Sequence, residues 1–339
     1  MRPRQAANVA MPIFKKYELT QTDCQRLGVG PHSHPESRVR DHPKLGSYTL
    51  IEAIECQSPD ECYHAWPHGK SGSASPRFIR TFPYVVFTDS MRDWLRLQVE
   101  RIDYTDYMGS KLPGIERIFE LDIVGDRGVI ISEYIFGASI ADIRPAFIDR
   151  PLSWSITLAL FAAVLARVLR LHAKGVCHGG VTAGLIRLDV NGEVWLCRGL
   201  PHALQSLAEA SRPGPDSMSR HWRDNDLIAV GRAVFPLAAG GRARQVAELF
   251  SGRDRQAFAV LSDLIIETDP AITDLAITVL RPLEEPSLSE AEKTITAGQV
   301  EALMHRALDH VSPGEVRRLL ETVVARSPDF QRTHRALGR

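Results

Sequence analysis

The stretch His172–Gly199, HAKGVCHGGVTAGLIRLDVNGEVWLCRG, gathers side chains that could do chemistry. His172 and His178 can carry protons, and Asp189 and Glu193 can accept them or hold a metal. Cys177, Cys197 and Arg198 add two thiols and a guanidinium. A site that moves a phosphoryl group needs a carboxylate to orient the attacking hydroxyl and oxygen ligands to hold magnesium. Between His178 and Asp189 there is no acid at all. The free acids nearest in sequence are Asp189, Glu193 and, further on, Asp216, and residues of that kind are ordinarily solvated turn residues. Metal chemistry has no better support elsewhere. The five cysteines (Cys24, Cys56, Cys62, Cys177, Cys197) follow no ligand spacing, and PHSHP at Pro31–Pro35 lacks a Cys or acidic partner.

The elements that must position these residues can be read from periodicity. Residues 1–45 are rich in Pro, His, Arg and Asp and read as a poorly ordered leader. Short β-branched and aromatic runs follow: SYTLIEAI, RFIRTFPYVVF, ERIFELDIV and GVIISEYI, with a helix expected over Ser90–Met108. After Pro151 the pattern turns helical. Ser153 is the expected N-cap, and Ile156, Leu160, Val164, Leu165, Val168 and Leu171 recur at helical spacing up to Gly175. LIRLDVNGEVWL then predicts a hairpin turning at Asn191-Gly192. Arg212–Arg220 reads as loop and Asn225–Ala239 as helix. In the tail, Ser289 with Glu292 and Ser312 with Glu315 form expected capping boxes, Pro313 standing at the first helical position. The apolar sets Val300–Val311 and Val316–Val324 predict two helices pairing as a hairpin, docked on the preceding domain or standing as a partner-binding module.

Composition excludes some classes. The 339 residues, 44% hydrophobic, suffice for a substantial core. Lys+Arg and Asp+Glu are both 41, so bulk charge predicts neither a nucleic-acid partner nor a membrane surface. The most apolar run, Ile156–Ala166, falls short of the roughly 18 residues a membrane span needs. The odd cysteine count argues against a disulfide framework and for a reducing cytoplasm. The start, MRPRQAANVAMPIFKK, is basic but lacks the Ser content of a transit peptide.

Taken together, strands with one inserted helix, a buried helix, His-Gly-Gly, a hairpin and further helices resemble the protein-kinase fold in its bacterial serine/threonine form. The resemblance covers Gly46 to Pro282. Ser132-Glu133-Tyr134-Ile135 with Gly137 and Ser139 is similar to the family's "MEYVxGxSL" hinge, with Glu133, Tyr134 and Ile135 as the hinge itself. His172–His178 is similar to "lHxxGvvH", Asp226 and Gly231 to "sDxysLG", and Gly214-Pro215-Asp216 to a worn "APE". The fold this implies is α+β and two-lobed: a small antiparallel β-lobe over 46–135, a mainly helical large lobe over 136–283, and a C-terminal helical extension over 284–339.

The same resemblance shows which chemical parts have changed. Glu55–Cys62, at the place of the Gly-rich loop, has no glycine but three acids and Pro59. Arg80 stands for the strand lysine, with Glu100 or Asp103 as its helix partner. Gly180 replaces the catalytic aspartate of "HRD", Thr182 the loop lysine and Leu185 the metal-binding asparagine. Either Cys197 or Arg198 takes the place of the "DFG" aspartate. His178 and Asp226, structural in the family, are kept. The expectation is a pseudokinase, a catalytically inactive scaffold or regulator that binds protein partners and needs no cofactor. The alternatives are an atypical nucleotide-dependent transferase and a metal-free anion or nucleotide sensor using Arg80 and Arg198.

Overall fold

Short runs that alternate inward and outward side chains build the first half of the chain. In the computed structural model the described residues are 44–45, 48–54, 61–67, 76–83, 113–124, 127–173, 178–189, 191–197, 215–240 and 297–327. The upper sheet contains β1 (Lys44–Leu45), β2 (Tyr48–Ile54), β3 (Glu61–Pro67), β4 (Arg77–Pro83), β5 (Ile118–Val124) and β6 (Arg127–Glu133). All its pairs are antiparallel, in the order β1-β2-β3-β4-β6-β5. One face buries Ala65, Ile79, Val129 and Ile131 in a small cluster of its own.

In this sheet two features differ from the sequence reading. β1 lies inside the expected leader, its two residues pairing with Thr49 and Tyr48. β3 was not expected at all, and Glu61 and Cys62, read as the end of a phosphate loop, lie in it, Cys62 opposite Arg80. The strand is hard to see because Tyr63 favours a strand but Ala65, the other inward residue, does not. The helix expected over Ser90–Met108, with Glu100 and Asp103, lies outside the described residues, as does the capping box of Ser289 and Glu292.

The hinge residues lead into the lower, three-stranded sheet: β7 (Gly137–Ser139), β8 (Ile186–Asp189) and β9 (Val194–Leu196), antiparallel in that order. β7 runs straight into α1 (Ile140–Ile143), where Ser139 and Asp142 complete a capping box that the sequence reading had not noticed. α2 (Trp154–Ala173) is the apolar helix, and every residue from Trp154 to Val168 is buried. A buried Leu, Ile or Phe contributes about 1.5–3 kcal/mol, so this helix anchors the lobe. Phe161 stacks on Phe235 with ring centroids 4.7 Å apart. α3 (Pro215–Val234) begins ten residues before the expected Asn225, so Pro215–Arg220 is helix and not loop, and the short α4 (Pro236–Ala239) follows it. Pro215 at its head explains the shift, since proline suits a first helical position.

The tail forms α5 (Ala297–Asp309) and α6 (Pro313–Arg326). α5 lies along α2, and α6 against β7 and α1, so each buries its apolar face on the large lobe. Val300, Ala307, Val316, Leu319 and Leu320 belong to the same core cluster as α2. The capping box expected of Ser312 and Glu315 is not formed: the Ser312 side chain makes no cap bond. The Glu315 carboxylate accepts instead from the backbone N–H of Ser153, 3.0 Å away at the head of α2. Ser153 is thus the capped residue there, and its own hydroxyl has no hydrogen-bond partner among the described residues.

Candidate functional site

The loop that follows α2 is gripped from below. Asp226, 1% exposed in the middle of α3, accepts from the backbone N–H of His178 (2.8 Å) and of Gly179 (2.9 Å), and its carboxylate also meets His172 Nε2 at 2.9 Å. His178 Nε2 lies 2.8 Å from the Cys197 carbonyl oxygen. The Cys197 N–H in turn donates to the Leu185 carbonyl, 2.7 Å away. One carboxylate and one imidazole therefore fix the loop against the end of β9. Buried polar groups held this way specify a unique backbone path.

What the loop presents is chemically bare. Gly180 has no side chain, Thr182 is exposed, and Leu185 offers only a methyl-bearing chain. Cys197 is a buried free thiol. Burial pushes its pKa well up, Glu116 adds to the rise, and Arg187 opposes it, as does Arg80 more weakly. Neither proton transfer nor hard-cation binding is available to a neutral thiol in that setting. Among the described residues no three His, Cys, Asp or Glu side chains are grouped to hold a metal ion.

The two sheets are joined beside the hinge as well as through it. Leu196 N–H donates to the Gly114 carbonyl (2.8 Å) and Glu116 N–H to the Leu196 carbonyl (3.1 Å), making a parallel bridge between Ile115 and β9. Glu116 is 5% exposed and its carboxylate accepts from the Ser132 hydroxyl at the end of β6. At the hinge, Glu133 N–H donates to the Arg117 carbonyl at 2.8 Å, and Tyr134 and Ile135 are buried, Tyr134 meeting Phe136 edge-on. The junction thus collects Arg80 from β4, Glu116, Glu133 from the hinge and Arg187 from β8, all acting on the Cys197 thiol.

The acids just beyond the loop are committed to the turn. Asp189 Oδ1 accepts from Asn191 N–H (2.9 Å) and Glu193 N–H (2.8 Å), which shapes the β8–β9 turn around Asn191-Gly192. Burial raises its pKa all the same. Glu193 is pushed up to about 7, first by burial and then by Asp189, while Arg167 pulls it down. Arg167 is a buried cation inside apolar α2, lowered to about 10 by burial, with Nη1 donating to the Ala163 carbonyl at 2.6 Å. Gly114 makes room for it. A Cβ there would stand 2.1 Å from Arg167 Nε, and its φ of +71° suits glycine in any case.

Of the residues singled out from sequence, His178, Asp226, Leu185 and Cys197 are linked by hydrogen bonds, Gly180 stands in the same loop, and the charges of Arg80 and of Glu133 in the hinge act on the Cys197 thiol. Arg198 lies outside the described residues, as do Glu100 and Asp103. Pro215 and Asp216 open α3. Four residues of the junction were not singled out: Glu116, Ser132, Arg167 and Arg187. Arg187 had a legible signal, a lone cation between the apolar Ile186 and Leu188 of one strand. The others had none, since their burial depends on contacts from distant segments.

Known structures bear directly on the fold. No protein-family model matches the chain, and no curated protein matches it. Among solved structures, the chain is similar to the kinase domain of PknI from Mycobacterium tuberculosis. In a single-site mutant form of that domain the TM-score is 0.55 at 16% identity, covering 78% of this chain and 97% of that one. In another crystal structure of the domain the TM-score is 0.51 at 15% identity, with the same coverage. The chain has an α+β, two-lobed, protein-kinase-like fold.

Proposed function

We propose that this protein is a pseudokinase, a catalytically inactive protein that acts as a scaffold or regulator through contacts with a protein partner. The observation that carries the reading is the loop His178–Leu185. Its backbone is held by Asp226 with two short hydrogen bonds, yet it carries no carboxylate or carboxamide toward the cleft. Among the described residues, Gly180, Leu185 and the neutral Cys197 thiol offer nothing to orient a hydroxyl or hold magnesium. Each tenfold in rate is about 1.4 kcal/mol of transition-state stabilisation, and losing the metal and the orienting acid together forfeits many such factors. Asp189, the next acid along the sequence, is engaged by the turn, and Asp226 by the loop backbone. A reducing, cytoplasmic setting fits a chain whose Cys197 is a buried thiol.

The test is phosphate transfer from γ-labelled ATP with magnesium or manganese, to the protein itself and to generic peptide and protein acceptors. The expected result is no transfer above a protein-free control. Transfer that depends on this protein and vanishes in Asp189→Asn would overturn the reading and favour an atypical enzyme.

A further inference from the structure

In a two-lobed kinase-like fold the cleft lies between the two sheets beside the hinge, and β8 is the central strand of the lower one. In β8, Ile186 and Leu188 are fully buried and belong to the core around α2. Side chains alternate along a strand, so Arg187 faces the other way, toward the junction between the sheets. It pairs with Ser139 on β7 and with Trp195 on β9, which puts it in the middle of that sheet. Its Nη2 donates to the Gly137 carbonyl, 2.8 Å away, just past the hinge. Its Nε is shielded from solvent and has no hydrogen-bond partner among the described residues. No side chain fits at Gly137, because a Cβ there would stand 1.9 Å from the Leu188 carbonyl oxygen, so β7 lies tight on β8.

A site for a planar base needs apolar faces and a few free polar groups along one edge. Here the floor is a cation, and that cation already occupies a carbonyl beside the hinge. We propose that Arg187 is the built-in occupant of this cleft: tied to the Gly137 carbonyl, it fills the floor on which a nucleotide base would rest and closes the cleft to adenine nucleotides, with or without magnesium. The proposal builds on the inactive-kinase reading and adds to it a cause that a single residue removes.

Binding of adenosine and of ATP, each with magnesium and with EDTA, is measured by calorimetry and by thermal shift on the full chain. The variants are Arg187→Leu, which supplies an apolar floor, and Arg187→Met, a second apolar variant should the first fail to fold; circular dichroism checks folding. The wild type is expected to show no saturable binding at millimolar ligand. A folded apolar variant is expected to gain adenosine binding at least about tenfold tighter than any seen in the wild type, independent of metal. Wild-type binding equal to that of the variants overturns the proposal. So does a folded variant that binds no better than wild type. That second outcome leaves the pseudokinase reading standing, whereas phosphate transfer by the wild type defeats that reading whatever the variants do.

Discussion

Glu193 joins the chemistry of one carboxyl group to the stability of the whole lobe. Burial and the neighbouring Asp189 make its proton harder to lose, and Arg167 compensates only in part. Its pKa is about 7 in the folded protein, against an ordinary value of 4.5. The folded state therefore binds the proton more tightly than the unfolded chain does. The stabilising effect is complete below the unfolded value and is lost as pH rises through about 7. Asp189, also raised by burial, acts in the same direction. Solvent reaching Glu193 damps the effect without reversing it. In Glu193→Gln the fall in stability across this window is expected to flatten. Urea melts of both proteins from about pH 5 to about pH 8 measure it, and equal slopes would show that Glu193 is not the group responsible.

At the scale of elements, helix ends here are satisfied across the fold. Glu315 belongs to α6 by sequence but caps α2, through the Ser153 N–H. Arg318, one turn further on, donates to the Pro151 carbonyl in the same connection. Removing a cap costs about 1 kcal/mol. Glu315→Ala is therefore expected to lower stability by about that much, while Ser312→Ala, whose hydroxyl makes no cap bond, should change it by less than about 0.5 kcal/mol. Thermal melts of the two variants decide between them. The reverse order would restore the local capping box that the sequence suggests. That suggestion failed for a physical reason: a Ser-x-x-Glu pattern specifies which groups could bond, and a competing donor brought close by tertiary packing took the carboxylate. β3 is weakly signalled for a similar reason, because its inward Ala65 gains its place from β4 and not from its own propensity. By contrast, α2 and the Asn191-Gly192 turn were legible, since apolar spacing and turn chemistry act within one segment. The grip of Asp226 on His178 and Gly179 was legible only through the family resemblance. Arg187 was visible as a cation in an apolar strand, and its bond to the Gly137 carbonyl is set by the pairing of β7 with β8 and not by its own segment.

For the whole molecule, the decisive fact is that the last helices share the core of the large lobe. α2 is apolar almost all round, so it needs cover on every side. α3 supplies part of that cover, and α5 lies along another face, with Arg170 of α2 paired to Glu301 of α5 at the edge. Val300, Val316, Leu319, Leu320 and Val323 are all fully buried in this arrangement. At about 1.5–3 kcal/mol each, these five side chains together contribute roughly 10 kcal/mol, comparable to the roughly 5–15 kcal/mol net stability of a typical domain. A chain ending at Thr296 would leave the α2 face open and is expected to lose its cooperative thermal transition and to aggregate. Calorimetry and size-exclusion chromatography of that truncation, beside the full chain, measure this directly. A truncated protein that stays monomeric and melts in one sharp step would mean that α5 and α6 are an appended module, with their apolar faces free for a partner. Loss of the transition instead makes them part of the lobe, and confines any partner to the surfaces that the folded lobe leaves exposed.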